Sequence, residues 1–317
     1  MATGKAMRKW GIRAGGSVLF LVLLFWLLPR AAIVEGFSKV TLPLFLGVFA
    51  AFLAGHVANA AKWWLLLDRG LPYLHALRAH FAGLAANLCL PGAAGGDAVR
   101  AAIAHGAMRD GPKLAAGAVA DRLIDMVGMI CLSLAGLMLL RDGATGLAVG
   151  LEIAAVLVAL LAGVIYGFPL LVRALWTRIP RLPAQGLALR TADAFAGLGR
   201  RPALLVVTLA LSLAIQSLFI WLSAQLGLAV GVTIPLAAWF FAWPLAKIVA
   251  VLPISLNGLG VRESSLAALL LPFGASAAQV VASGLVWQAV MFGAGALGAL
   301  VLAVSGTGWR AARPVTD

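Results

Sequence analysis

The chain has 317 residues, 63% of them hydrophobic and 11% charged, with a mean hydropathy of +1.03. A soluble domain carries roughly 25% charged residues and needs them to cover its surface. That balance excludes a soluble enzyme, a DNA-binding domain and a disordered chain. What remains is an all-α polytopic membrane protein, because the apolar runs are long and continuous rather than short and alternating.

The first fourteen residues hold four basic residues and no acid, and they precede an apolar run at about 15–33. Pro29-Arg30 follows that run without a small-residue cleavage pattern, so it reads as a retained helix with its basic flank inside. Further full-length helices are expected at about 40–67, 114–140, 145–172, 202–227 and 276–305, each near the ~20 residues that a span requires. Two other apolar stretches are interrupted. Residues 74–108 are split at Pro91-Gly92-Ala93-Ala94-Gly95-Gly96, and residues 236–271 at Pro253 to Gly260. Pro and Gly clusters end helices, and irregular backbone at membrane depth is tolerated only inside protein or beside a watery cavity. Both stretches therefore read as broken, re-entrant helix pairs within one integral membrane domain over 1–317.

The two breaks resemble each other. Pro91/Pro253, Gly96/Gly258, Val99/Val261 and Arg100/Arg262 match at equal offsets. Basic residues give an orientation. The segment 173–201 holds six arginines against one acid, Asp193, and marks the inside. With both termini cytoplasmic and both broken pairs returning to their own side, the inside holds sixteen of the 24 Lys and Arg and the outside three. The net charge of +13 is then loop charge rather than a sign of nucleic acid. Helix, hairpin and helix occur twice in opposite orientations, an architecture of secondary transporters. A full crossing within 236–252 is the alternative that would change this topology.

Charges inside apolar stretches are expensive and are normally paired or functional. Asp97 follows Gly95-Gly96, a position suited to an N-cap or to an ion pair. Arg100 lies one turn on, and a helix N-terminus with an arginine suits an anion. Arg262-Glu263 repeats the arrangement after Asn257-Gly258-Leu259-Gly260. Asp121 and Asp125 share a helix face with Arg122 about 100° away, and the group can pair with Arg100 or Asp97. Lys247 is expected to neutralise Glu263 or to meet a lipid phosphate. His56, Asn59 and Lys62 lie near one face. Lys62 beside Trp63-Trp64 reads as an interfacial anchor. No cofactor or metal is expected: Gly258-Leu259-Gly260 follows no strand, no Gly-Lys-Ser/Thr loop is present, and the four histidines show no metal spacing. Cys89 and Cys131 read as core residues.

Three stretches together resemble the lysylphosphatidylglycerol synthase transmembrane-region family, a flippase-like family. They are Asn87 to Pro91 with Gly95-Gly96-Asp97-Ala98-Val99-Arg100, then Ala120-Asp121-Arg122-Leu123-Ile124-Asp125, then Pro253 to Glu263. The resemblance spans nearly the whole chain. It implies a bacterial inner-membrane protein. In the multiple peptide resistance factors, relatives of this kind, the region is held to move aminoacylated phosphatidylglycerol between leaflets, and a cytosolic aminoacyltransferase domain accompanies it. No such domain is expected here, so the reading is not enzymatic. Stand-alone relatives are linked to polyisoprenoid and hopanoid lipids. The leading expectation is a lipid translocase, with Arg100, Arg122 and Arg262 on the lipid phosphate. Asp97, Asp121 and Asp125 would be their resting partners, and Lys247, Glu263 and Asn257 would be close by. The alternatives are a solute or ion transporter and a partner of a separate lipid-modifying enzyme. An aspartyl intramembrane protease is disfavoured because Ala94 breaks its Gly-x-Gly-Asp pattern. A lipid glycosyltransferase is disfavoured because no large acidic loop is present.

Overall fold

A computed structural model describes residues 34–35, 38–89, 93–141, 144–179, 181, 185–250 and 260–304. Among the described residues there are ten α-helices and no strand. They are α1 (Leu42–Leu66), α2 (Tyr73–Cys89), α3 (Ala93–Met108), α4 (Gly111–Leu139), α5 (Ala144–Arg178), α6 (Gln185–Gly199), α7 (Pro202–Ala229), α8 (Leu236–Ala250), α9 (Val261–Leu270) and α10 (Ala277–Val304). Five of these, α1, α4, α5, α7 and α10, are long and apolar enough to cross a membrane. The expected helix at 15–33 lies outside the described residues.

Local signals account for several boundaries. Asp110 caps α4, its carboxylate accepting from the Lys113 amide at 3.0 Å, and Pro112 stands in the first turn, where no amide is needed. Gly260 opens α9 with a φ of 82°, a conformation open to glycine, and its amide donates to Glu263 Oε2 at 2.8 Å. The two broken stretches form packed pairs, α2 on α3 and α8 on α9. Their arms have 17, 16, 15 and 10 residues. The longest is about 25 Å, short of the ~30 Å hydrocarbon core.

The repeat hinted at by the two breaks extends over four helix pairs. Pro91 and Pro253 stand 162 residues apart (253 − 91). Adding that separation carries α1, α2 and α4 to 204–228, 235–251 and 273–301, against α7, α8 and α10 at 202–229, 236–250 and 277–304. It carries α3 to 255–270, which shares its end with α9 at 261–270. Corresponding helices run in opposite directions. Asp68, just past the end of α1, pairs with Arg201, just before α7, while Gly55 faces Phe219 farther along both helices. The Arg201 guanidinium holds the Asp68 carboxyl below its ordinary range by hydrogen bonding to it. The repeats also exchange partners: α2 packs on α10, and α8 packs on α4.

Two glycines permit that exchange, and they too are 162 apart. A Cβ on Gly298 would stand 2.2 Å from the Phe81 carbonyl oxygen, and one on Gly136 would stand 2.4 Å from the Phe241 amide nitrogen. Backbone-to-backbone approach of this kind is the small-residue contact of membrane helices. Helix α5 stands outside the repeat with Leu160, Leu170 and Leu171 exposed, as suits a lipid-facing helix. The basic segment 173–201 is mostly helical. Helix α6 buries Ala192, Phe195 and Leu198 and leaves Arg190 outside.

Gly136→Ala and Gly298→Ala should each destabilise the purified protein by about 1–3 kcal/mol, because backbone cannot give way as a side chain can. Gly163→Ala, with nothing within 4 Å of its added Cβ, should leave Tm unchanged in the same thermal unfolding series.

Candidate functional site

Helix α1 contributes the residue around which the site is built. Lys62 is 0% exposed. Its Nζ lies 3.1 Å from Asp121 and also contacts Asp125. Asp125 accepts a further bond from Ser212 Oγ of α7 at 2.6 Å. The expectation of an interfacial anchor is therefore corrected. Lys62 faces α4 rather than the membrane surface, and two carboxylates compensate an ammonium taken out of water. Trp63 is buried under the Arg100 guanidinium, 4.4 Å from its ring centroid.

Asp121 also accepts from Arg100 on α3 at 3.0 Å. Asp97 lies 3.5 Å from Arg100 and accepts from Arg122 Nε at 2.7 Å. The expected pairing of the Asp121-Arg122-Asp125 group with Arg100 and Asp97 is thus present. The N-cap role is not. Helix α3 starts at Ala93, so Asp97 is already in its second turn, and its carboxylate serves the two arginines instead. The Gly96 amide donates to Asn87 Oδ1 at 3.0 Å, and Gly83 lies against Gly96 backbone, which closes the α2–α3 pair. Arg122 is the accessible member, its side chain 47% exposed beside Asp97 at 24%.

The other repeat supplies an aromatic wall. Lys247 on α8 donates to Gln216 Oε1 at 2.9 Å and sits over Trp243 and Phe219, 5.1 and 5.9 Å from their centroids. Among the described residues it has no carboxylate partner. The expected Lys247–Glu263 pairing is corrected, because Glu263 is occupied by its neighbour Arg262 at 2.5 Å and by the Gly260 amide. Arg262 also donates to Gln288 Oε1 at 3.3 Å and contacts Met291 Sδ at 3.0 Å.

These walls enclose a cavity of about 220 Å³. Asp97, Arg100, Asp121, Arg122 and Asp125 line one side, and Lys247 and Arg262 the other. Glu263 is buried behind Arg262, and Asn257 lies outside the described residues. Counting Lys62 and Glu263, five cations meet four carboxylates, a surplus of one positive charge with the histidines neutral. Sequence reasoning missed His80, Gln216 and Ser212. His80 stands 3.0 Å from His56 and completes the cavity between α1 and α2. Their one available signal is a polar residue inside an apolar helix.

Lys62→Met should cost about 3–5 kcal/mol, since it leaves the buried Asp125 without its cation and takes one of two from Asp121. Thermal unfolding should show Lys62→Met with Asp125→Asn regaining part of that loss.

A polytopic helical membrane protein with a charged internal cavity between two broken helix pairs is the class that fold and site define. The chain belongs to the family described as the lysylphosphatidylglycerol synthase TM region, whose model matches residues 13–299. No curated protein matches the chain.

Proposed function

We propose that the protein is a lipid translocase of the bacterial inner membrane. It would move an anionic or aminoacylated phospholipid, or another phosphate-headgroup lipid, between leaflets without ATP hydrolysis. The observation that carries the reading is the uneven charge of the cavity. Lys247 faces it without a carboxylate among the described residues, and five cations stand against four acids. A monoanionic phosphodiester supplies the missing charge. Arg122, half exposed at the Asp97 side, would receive the phosphate first, since a guanidinium suits bidentate phosphate recognition. Lys247 would hold it deeper. Arg100 and Arg262 would complete the phosphate's surroundings, with Asp97, Asp121 and Asp125 keeping the cations paired while no lipid is bound. The acyl chains would stay in the bilayer, with the two broken pairs re-entrant and the termini cytoplasmic. The family membership and the five apolar helices support a membrane site for lipid chemistry.

Proteoliposomes with headgroup-labelled phosphatidylglycerol test this through leaflet exchange against protein-free vesicles. Lys247→Met removes a cation without stranding a carboxylate, so it should leave Tm near wild type. Lys247→Met and Arg122→Ala should each slow exchange about tenfold, equivalent to about 1.4 kcal/mol. Exchange at the protein-free rate, or undiminished exchange in both variants, would sink the proposal.

A further inference from the structure

The cavity holds a titratable pair that phosphate binding leaves unused. His56 on α1 and His80 on α2 meet with Nδ1 of the first 3.0 Å from Nε2 of the second. Phe52 and Phe219 fix the His56 ring, their centroids 4.5 and 5.3 Å away. A neutral imidazole has one N–H and one bare nitrogen. The neutral pair therefore spends one proton on the shared bond and keeps the other on an outer nitrogen. His80 Nδ1 is such an outer nitrogen, buried and without a hydrogen-bond partner among the described residues. In one tautomer it is a donor lacking an acceptor, and in the other an acceptor lacking a donor. One added proton makes it a donor in every arrangement, and an anionic oxygen is the partner that a buried cationic donor calls for.

The charges around the pair set when that proton is taken up. Lys62 lies on the same helix as His56, and Arg100 faces from α3 beside Asp97. Asp121, Arg122 and Asp125 face from α4, Lys247 from α8 and Arg262 from α9. Helices α7 and α10 present Gln216, Phe219 and Trp287, which carry no charge. Arg78, two residues before His80, points to another side of α2. With Glu263 behind Arg262, this set carries one surplus positive charge, and it opposes a further one. A bound phosphodiester brings the surplus to zero, and a proton on the histidine pair then restores the value of the empty cavity. Anion and proton thus favour each other, and the coupling is reciprocal.

We infer that the His56–His80 pair carries one proton with each anionic headgroup, so that the protein is a proton–lipid symporter. The proton comes from water on the side where the headgroup enters and leaves to water on the other. No covalent bond changes, and the cavity's net charge is the same before and after. The loaded couple is neutral, so the membrane potential does no work on it and the pH gradient alone drives it. Lipid then accumulates in the leaflet facing the alkaline compartment. The inference rests on the translocase reading above.

The test uses the full chain in phosphatidylcholine vesicles with trace headgroup-labelled phosphatidylglycerol, an interior about one pH unit more alkaline than the exterior and an internal pH dye. One proton per lipid should give about a tenfold leaflet ratio at steady state, with internal acidification that depends on the lipid. His80→Gln should bring the ratio to one. His56→Gln should do the same and serves where the first variant fails to fold by gel filtration. Exchange that proceeds in the wild type with a ratio of one overturns the coupling and leaves the translocase reading standing. A tenfold ratio in both variants overturns the histidine assignment. No exchange at all in the wild type overturns both readings.

Discussion

Lys62 has no exposure to solvent, and four helices converge on it. It lies in α1. Asp121 and Asp125 come from α4, Ser212 holds Asp125 from α7, and Arg100 holds Asp121 from α3. Burying an ion pair adds little stability by itself, because desolvation offsets much of the attraction. Its effect is on geometry. Only an arrangement that brings α1, α3 and α4 together leaves each of these charges with a partner, and the Ser212 hydroxyl ties α7 to the same group. The two hairpins, the cavity and the accessible Arg122 are positioned relative to that knot.

The repeats share a backbone and divide the chemistry. The separation of 162 residues that relates their helices also relates Arg100 to Arg262. It carries Asp121, Arg122 and Asp125, however, onto Ser283, Gly284 and Trp287. One half thus presents a network of aspartate ion pairs, and the other presents indole rings beside the single pair Arg262–Glu263, with Gln288 and Met291 also on that arginine. A perfectly symmetric pair of such halves would place two aspartate pairs in one small cavity, each needing its own cation. The asymmetry leaves a polar wall and an aromatic wall, and Lys247 stands at the second in contact with Trp243.

Helices α1, α4, α5, α7 and α10, the two interrupted stretches and the resemblance between them were legible in the sequence, because proline, glycine and apolar length act locally, whereas α6 was read only as part of a basic segment. The pairing of Asp97 and Asp121 with Arg100 and Arg122 was legible as well, since buried charges must be satisfied. Lys62 was not. Its neighbours Trp63 and Trp64 are the residues of a membrane interface, and burial by helices distant in sequence leaves no mark on a single one. Asp97 misled for the opposite reason. Gly95 and Gly96 read as a break, whereas α3 runs through them and begins at Ala93, with the Gly96 amide held by Asn87. His80 and Gln216 gain their meaning only from residues 24 and 31 positions away.

Helix α5 belongs to neither repeat, and its place in the chain has a topological consequence. On the proposed topology, with the broken pairs re-entrant, each repeat would consist of two crossings and a hairpin that returns to its own side, and it would end on the side where it began. Two such units joined directly would be parallel copies, related by an axis along the membrane normal. A single additional crossing between them changes the parity, and α7 then starts from the side opposite α1, as the Asp68–Arg201 contact requires. Helix α6, short and amphipathic, lies between α5 and α7 and adds no crossing. On that topology α5, which contributes no residue to the cavity, would turn a duplicated unit into an inverted one.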